Sequence, residues 1–591
     1  MSKKNGAPMS LFKLVSRIAP LAFKGLGGRY ALAMLSSFTL LTLEVVMTFA
    51  TAQLFNSVEA AITSGSYVMS IVWLGVVLAV IVATPLLNSV VNLYMGDLMR
   101  RSSHGILLKL QDKASKLPTI RFEMPETLDA LNKAENGAFV ASALISILLL
   151  VVFGYIPGII GMTAYLYSLK PILAIMPLVV FVPVITAQLV KVKFFADLES
   201  ASAPMRRKVD YYERFAGHIE FFKETRLLGC FGFFRRLYSE SVAALNKLTW
   251  KTHRKAGLAE MSIQLLTIAA YALMTYLLVV ALQEGAIRVG EFAVVFTSIS
   301  SMFDLIQEMV QQNLGQVMEE RSLAANVITL LDAPEREGDA HADASDGIAL
   351  RGVCFRYPGS ERDCLHDVNL DIAPRETLAI VGLNGAGKST LVKLITGIFT
   401  PTQGEVLFSG TPTSVIDPKS LFANTSAVFQ DYGKYKMTLE RNIRLGDTHS
   451  DAPIDEALRD GNVDVNGDSF PDGADTLLSK EFGGVDISGG QWQRVAIARG
   501  LYRQHELIIL DEPTAAIDPI EESLVYRKFI EVARDKTAII ITHRLGSCRI
   551  ADRIAVMNDG AIVQVGSHEE LLADERGLYR EMWDAQSGWL V

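Results

Sequence analysis

The sequence predicts two folds in series: an all-α polytopic membrane domain of six spanning helices, then an α/β domain built around a phosphate-binding loop. Three observations predict it. Half of the 591 residues are hydrophobic and mean hydropathy is +0.28, high for a water-soluble chain and a sign of membrane spans. Six long apolar stretches, about 29–54, 69–96, 138–166, 171–193, 257–282 and 289–315, fill the first part of the chain. After them an acidic, turn-rich run opens a pattern of short strands alternating with helices, and within it stands Gly382–Thr390, GLNGAGKST. The length exceeds what one core fills, so two or more domains are expected.

The N-terminal arm, 1–28, carries Lys3, Lys4, Lys13, Arg17 and Lys24. Met9 to Leu21 reads either as a basic amphipathic helix on a membrane surface or as a solvated tail. The apolar stretch after it is too long for a cleaved secretory signal. Each of the six stretches can cross a hydrocarbon layer of about 30 Å. Two of the connections between them are long and basic. The first, 97–137, holds Arg100, Arg101, Lys109, Lys113, Lys116, Arg121 and Lys133. The second, 194–256, holds Arg206, Arg207, Lys208, Arg235, Arg236, Lys251, Arg254 and Lys255 among others. The alternate connections carry little besides Lys170 and Arg288. Positive charge stays on the cytoplasmic side, which places both termini and both long loops there.

Those long loops keep helical spacing of apolar residues, as in Tyr211 to Leu228. Structureless loops of that length are improbable. The spans are therefore expected to continue as helices into the cytoplasm and turn back, with short turn helices within Leu117–Leu131 and Leu227–Phe234. Three acids fall in the spans: Glu44 in the first, Asp304 and Glu308 in the last. Ionisable groups in lipid are costly and face partners or water. The plainer account is that Glu44 pairs with a hydroxyl or is protonated, and that Asp304 and Glu308 lie at a wet end. The alternative is a lining that favours cationic or polar groups.

The expected boundaries are an arm at 1–28, a six-helix membrane domain at 29–331, an acidic linker at 332–347 (DAPEREGDAHADASDG) and an α/β domain at 348–591. Net charge is −8, without the basic balance of a nucleic-acid binder. The cysteines Cys230, Cys354, Cys364 and Cys548 form no CxxC pair and no His cluster accompanies them. Free thiols are expected, not a disulfide frame or a zinc site.

The phosphate loop follows the apolar strand Leu378–Val381 and opens the helical run Leu391–Ile395. Gly382, Gly385 and Gly387, with Asn384, let successive backbone N–H groups converge on one point at a helix N-terminus. Lys388 can reach β- and γ-phosphates, and Ser389 can offer its hydroxyl to Mg²⁺. Downstream, the buried strand Leu507–Leu510 ends in Asp511–Glu512. The first acid suits Mg²⁺ and the second can orient and deprotonate a water. ISGGQ, Ile487–Gln491, puts Ser488, Gly489 and Gly490 at a helix start, a second anion site. Tyr357 can stack on adenine or pack on its own strand. Gln430 and His543 follow strands, where side chains reach a bound nucleotide.

These motifs, in this order and spacing, resemble the ATP-binding cassette transporters over nearly the whole chain. More narrowly, the chain is similar to an exporter-type half-transporter, six spans followed by one nucleotide-binding domain. The resemblance implies the cofactors ATP and Mg²⁺. It implies Walker A contacts at Lys388, Ser389 and Thr390, a Walker B magnesium residue at Asp511 and a catalytic base at Glu512. It implies a Q-loop residue at Gln430 that senses Mg²⁺ and nucleotide, and a switch histidine at His543. It also implies a signature at Ser488–Gln491 and a coupling acid at Asp518. Two departures stand out: Ile487 where Leu is usual, and Lys480–Asp486 (KEFGGVD) in place of a GERG-like segment. The run GGVDISGGQWQRVAIARGLYR and ETRLLG are more similar to bacterial peptide and lantibiotic exporters. No cysteine-peptidase segment is expected ahead of the first span.

One cassette per chain implies a dimer. Glu512 and ISGGQ are both intact, which favours a homodimer over a heterodimer. The implied activity is ATP hydrolysis that drives a small molecule, peptide or amphipathic compound across the cell (inner) membrane, by export. Membrane lipid and the transported substrate are the other partners, and nucleic acid is not one. An importer of a siderophore-like compound, or a nucleotide-gated sensor or channel that pumps little, are the rival readings. The direction of ATP-dependent flux and substrate-coupled ATPase separate them.

Overall fold

The computed structural model describes residues 9–169, 171–217, 221–285, 287–341, 346–512 and 519–587. The chain folds as two compact units. One comprises Met1–Ser115 with Asp129–Ala333, the other Lys116–Leu128 with Pro334–Val591.

The first unit is helical. Helix α1, Leu11–Phe23, starts at Ser10, whose side chain accepts from the Lys13 N–H. Leu14, Ile18 and Ala22 recur every four residues and are buried, so the arm is an amphipathic helix with its apolar face covered. Its Arg17 pairs with Asp332 at 2.5 Å. Then come α2 (Gly27–Ser64), α3 (Val68–Lys116), α4 (Pro125–Leu150), α5 (Ile156–Leu169), α6 (Met176–Gly217), α7 (Phe222–Leu227), α8 (Phe231–Gln283), α9 (Val289–Gln307) and α10 (Gly315–Leu331). At 1.5 Å per residue the 49 residues of α3 run for about 70 Å, over twice the hydrocarbon thickness. Long basic loops are thus mostly helix, as their patterning requires.

Five helical stretches are long and apolar enough to cross a membrane among the described residues: Gly27–Ser64, Val68–Lys116, Pro125–Ser168, Phe231–Gln283 and Gly290–Val310. The stretch expected at 171–193 is not among them. It falls on a 3₁₀ turn, Pro171–Ile175, and on α6. Two helices are interrupted by single π turns, Val151–Tyr155 and Glu308–Leu314. The first ends two residues before Pro157, which has no N–H to return to the Phe153 carbonyl four residues back. Gly154, Gly158 and Gly161 face α2. A Cβ on Gly154 would sit 2.9 Å from Leu41 Cδ1, and one on Gly161 3.3 Å from Val45 Cγ2. Small residues here let two helices approach closely. Glu44 is half-buried, while Asp304 and Glu308 are exposed on one face, a turn apart. The Asn313 amide donates to the Tyr155 hydroxyl and to the Glu308 carbonyl, both at 3.1 Å.

The second turn helix lies earlier than expected. It is α7, Phe222–Leu227, and the chain then reverses at Gly229, φ +60°, where the Cys230 N–H bonds back to the Thr225 carbonyl at 3.1 Å. The first turn is a short 3₁₀ segment, Thr119–Glu123, and belongs to the second unit.

The second unit is α/β. An antiparallel sheet runs β2-β1-β4-β5, with β1 at Ile348–Phe355, β2 at Leu365–Ile372, β4 at Gln403–Phe408 and β5 at Thr411–Pro412. A second sheet runs β10-β9-β3-β8-β7-β6. It contains β3 (Thr377–Gly382), β6 (Thr425–Val428), β7 (Leu507–Asp511), β8 (Thr537–Ile541), β9 (Arg553–Asn558) and β10 (Ala561–Gly566). All its pairings are parallel except β10 on β9. Every residue of β7 and β8 is buried, which is why they read as unbroken apolar runs. The helices are α11 (Lys388–Ile395), α12 (Pro418–Ala423), α13 (Leu439–Arg444), α14 (Asp455–Asp460), α15 (Gly489–Tyr502), α16 (Pro519–Ala533), α17 (His568–Ala573) and α18 (Leu578–Ser587).

The 3₁₀ turn is held on this unit three ways. Ile120 packs on the apolar core shared by the antiparallel sheet and α11. Glu123 pairs with Lys393 of α11 at 3.3 Å. The Arg336 N–H donates to the Lys116 carbonyl at 3.0 Å.

Candidate nucleotide site

Four parallel strands point their C-terminal ends at one cavity. β3 leads into the glycine loop, β6 into Gln430, β7 into Asp511–Glu512 and β8 into His543. Open α/β sheets bind ligands at this edge. The cavity measures about 800 Å³ and is lined by Gly382 to Thr390, Gln430, Glu512, His543, Cys364, Met582, Ala585 and Gln586.

The loop needs its glycines. Gly385 and Gly387 have φ of +82° and +95°, a region L side chains rarely adopt. A Cβ at Gly387 would lie 2.6 Å from Leu365 Cδ2. The Lys388 ammonium folds back on the loop and donates to the carbonyls of Gly382 and Leu383 at 3.0 and 3.1 Å. Burial lowers its pKa, opposed by the charges of Glu512 and Asp511.

Ser389 donates to Asp511 Oδ1 at 3.4 Å. Burial holds the Asp511 carboxyl above the usual range, against the Ser389 hydrogen bond, and the Glu512 charge adds to the rise. A cation between these oxygens relieves both effects. Among the described residues no group of three His, Cys, Asp or Glu is placed to hold a metal. The donor set is instead a hydroxyl and a carboxylate, with Gln430 on the same cavity. Hard oxygen donors completed by phosphates and water suit Mg²⁺.

Glu512 sits just past β7 with φ +47°, its N–H donating to the Ile541 carbonyl at 3.0 Å. Its Oε2 lies 3.7 Å from His543 Nδ1, and its side chain is 16% exposed against 49% for His543. A carboxylate and an imidazole thus face the cavity side by side.

Other expected residues lie elsewhere. The Tyr357 ring packs edge-on against Phe355 and Phe399, and its hydroxyl is 3.1 Å from Thr390 Oγ1. It does not line the cavity. Ser488 caps α15: its Oγ accepts from the Gln491 N–H at 3.3 Å, and its own N–H donates to Gln491 Oε1 at 2.9 Å. Ser488 and Gly489 are exposed, and neither they nor Gly490 and Gln491 line this cavity. Asp518 lies outside the described residues. Cys364, Met582, Ala585 and Gln586 line the cavity without having been read from sequence. No local motif marks them, since β2 and α18 reach the site only through the fold.

Residues 365–515 match the family model described as ABC transporter. Over 567 residues, 93% of this chain and 91% of the relative, the sequence is 28% identical to the subtilin transport ATP-binding protein of Bacillus subtilis. Residues 365–515 are thus an ABC transporter domain, within a chain similar to ABC transporters along its length. The nisin transport ATP-binding protein of Lactococcus lactis subsp. lactis is 26% identical, covering 87% of each chain. An ATP-dependent lipid A-core flippase of Burkholderia orbicola is 35% identical, but across only 55% of each. In fold, the chain matches a solved bacterial Atm1-family ABC exporter with ATP bound. The TM-score is 0.77 at 24% identity, over 95% of this chain and 98% of that one.

The helical unit followed by a single cassette is the exporter half-transporter architecture. The ABC transporter binds and hydrolyses ATP and couples hydrolysis to export. It is an integral membrane protein, and the half-transporter form points to dimerisation.

Proposed function

We propose that two copies of this chain form a peptide exporter in which each cassette's signature completes the other's nucleotide site. One observation carries the reading. Lys388, Ser389, Gln430, Glu512 and His543 gather on one cavity from four strand ends, while Ser488–Gln491 present an exposed helix start away from it. An anion-binding helix N-terminus that does not face its own chain's cavity is free to close on another's.

The residues divide the chemistry. The loop N–H groups and Lys388 hold the phosphates, and Lys388 must leave the Gly382 and Leu383 carbonyls to do so. Ser389 and Asp511, with Gln430, would hold Mg²⁺, which neutralises charge on the β- and γ-oxygens. Glu512 orients the attacking water and takes its proton, and His543 Nδ1, beside it, contacts the γ-phosphate. Asp518 would link the two sites across the dimer, and Tyr357, two residues past β1, would meet adenine. Ser488 and the next glycine amides add contacts to the γ-phosphate of the facing subunit, so ATP favours the closed pair. Closure moves the turns at 119–123 and α7, and the membrane path switches from inward to outward. Hydrolysis removes the shared ligand and resets the cycle, a population shift driven by differential affinity for ATP.

Both termini, the cassette and both long loops are cytoplasmic on this reading. Homology over most of the chain to the subtilin and nisin transport proteins supports a peptide substrate. Asp304 and Glu308, exposed on one helix face, supply carboxylates for cationic groups on that peptide.

The test is ATPase of the chain expressed alone in lipid nanodiscs, with lantibiotic-type peptides, cationic amphiphiles, lipids and metal chelates added separately. Turnover by the chain alone, raised by cationic peptides, is expected. A folded, ATP-binding chain without turnover would replace the homodimer by a heterodimer. Stimulation by another class would overturn the peptide assignment.

A further inference from the structure

Helix α18, Leu578–Ser587, reaches into the nucleotide site. α18 is anchored firmly. Tyr579 is fully buried, its N–H donates to Gln564 Oε1 at 3.0 Å, and its hydroxyl lies 2.7 Å from His568 Nδ1. Tyr579, Met582 and Trp583 share an apolar cluster with Leu545, Cys548 and the β3 residues Ala379 and Val381. The helix is thus packed on the back of the strand that delivers the phosphate loop.

From that base, the Gln586 side chain spans the segment after β8. Its Oε1 accepts from the Leu545 N–H at 3.0 Å, and its Nε2 donates to the His543 carbonyl. One primary amide therefore satisfies a carbonyl and an N–H two residues apart, where the chain leaving β8 enters a 3₁₀ turn, Leu545–Ile550. That carbonyl belongs to the residue whose imidazole stands 3.7 Å from Glu512. Just before it, the Thr542 N–H reaches the Ile380 carbonyl of β3 at 3.5 Å. The Arg544 N–H donates to Thr542 Oγ1 at 3.0 Å and the Ser547 N–H to the Arg544 carbonyl at 3.1 Å. The Gln586 amide adds a direct hydrogen bond to the His543 carbonyl itself. Gln586 also lines the cavity itself, with Ala585 next to it and Met582 one turn behind.

We infer that Gln586 is a positioning residue for ATP hydrolysis: its amide locks the His543 loop so that the imidazole faces Glu512 and the γ-phosphate. Two hydrogen bonds from a helix pinned by Tyr579 remove freedom from the loop before nucleotide arrives, which is preorganisation of the reacting geometry. Most phosphate contacts come from the glycine loop and Lys388, so ATP affinity depends little on the clamp. The inference rests on the proposed role of His543.

The experiment uses the full chain in nanodiscs and compares single-turnover ATP hydrolysis for Gln586→Ala, Gln586→Glu, His543→Ala and the double variant His543→Ala/Gln586→Ala. Gln586→Ala is expected to slow hydrolysis about 10-fold with KM for ATP within twofold, a loss confined to the transition state. Gln586→Glu keeps the acceptor for Leu545 and lies between alanine and the wild type. In the His543→Ala background the second substitution is expected to add less than twofold, because the clamp acts through the imidazole. Gln586→Ala at the wild-type rate overturns the inference. So does an equal fold loss in both backgrounds, or a KM that rises with the fall in rate. A His543→Ala variant that hydrolyses normally sinks instead the role of His543, a distinguishable outcome.

Discussion

Replacing Glu512 by Gln tests the hydrolytic site most directly. The two side chains have the same shape, and the glutamate is 16% exposed, so the swap leaves packing and the hydrogen bond to the Ile541 carbonyl in place. What disappears is a negative charge and a base. General-base catalysis is worth about 10²- to 10⁴-fold, or about 3–5 kcal/mol of barrier. Electrostatics around the site shift in opposite senses. Asp511 loses a like-charged neighbour, and Lys388 loses one of the two acids that support its charge. The phosphates of ATP lose a repulsion, so affinity holds or improves. Steady-state phosphate release, with ATP retention on a filter as the second readout, is expected to give a turnover at least about 100-fold lower with ATP bound at wild-type affinity or better. Turnover within about tenfold of wild type would remove Glu512 from the role of base. Loss of ATP binding together with turnover would show a structural defect instead. A companion variant, Glu512→Gly, separates strain from chemistry. Residue 512 holds φ +47°, a conformation that costs an L residue about 1–2 kcal/mol and glycine little. The glycine variant is therefore expected to be equally inactive, without a loss of cassette stability.

The other predictions are independent of that acid. Gly387→Ala forces a Cβ to 2.6 Å from Leu365 Cδ2 and 3.2 Å from the Cys364 carbonyl, at φ +95°; calorimetry is expected to show ATP binding weakened by at least about tenfold, and unchanged affinity would mean the loop rearranges freely. Ile120→Asp places a charge where the 3₁₀ turn meets the cassette core; ATP affinity is expected to stay within about twofold while peptide stimulation of ATPase disappears, and retained stimulation would free this turn of a coupling role. His505, buried and beside Lys536, has its pKa lowered to about 4, first by burial and then by that lysine. The fold favours the neutral ring, so this contribution is whole above about pH 6.5 and is lost as pH falls toward about 4, about 3 kcal/mol in all. His505→Gln is expected to flatten the fall in cassette melting temperature between those pH values, and an unchanged slope would assign the acid sensitivity to other groups.

Much of the chain was legible because its chemistry is local. Ser389 follows Lys388, and the glycines precede both, so one short window reports the phosphate loop. Asp511 and Glu512 ride on an apolar run that can only be a buried strand. The helical character of 97–137 and 194–256 showed in apolar spacing, and α3 extends through the first of them without a break to Lys116. Where local pattern was silent, the reading slipped. The second turn helix was placed on Leu227–Phe234, but the reversal at Gly229 puts it on Phe222–Leu227. The 171–193 stretch, read as one span, opens on a 3₁₀ turn and continues into α6.

By itself the sequence determined the class of each half, their order along the chain, and the glycine loop, the acidic pair and the ISGGQ stretch as the proposed site residues. It did so because hydropathy and short motifs are properties of neighbouring residues. Only the tertiary structure decided that Lys388 rests on its own loop carbonyls, that Tyr357 packs on Phe355 and Phe399, and that Ile120 belongs to the cassette core. It alone decided that Gln586 holds the His543 loop from a helix 41 residues beyond Leu545. Such contacts follow from how parallel strands stack and where helices dock. Many sequences satisfy the same local pattern, but only one packing brings those distant groups within a hydrogen bond of each other.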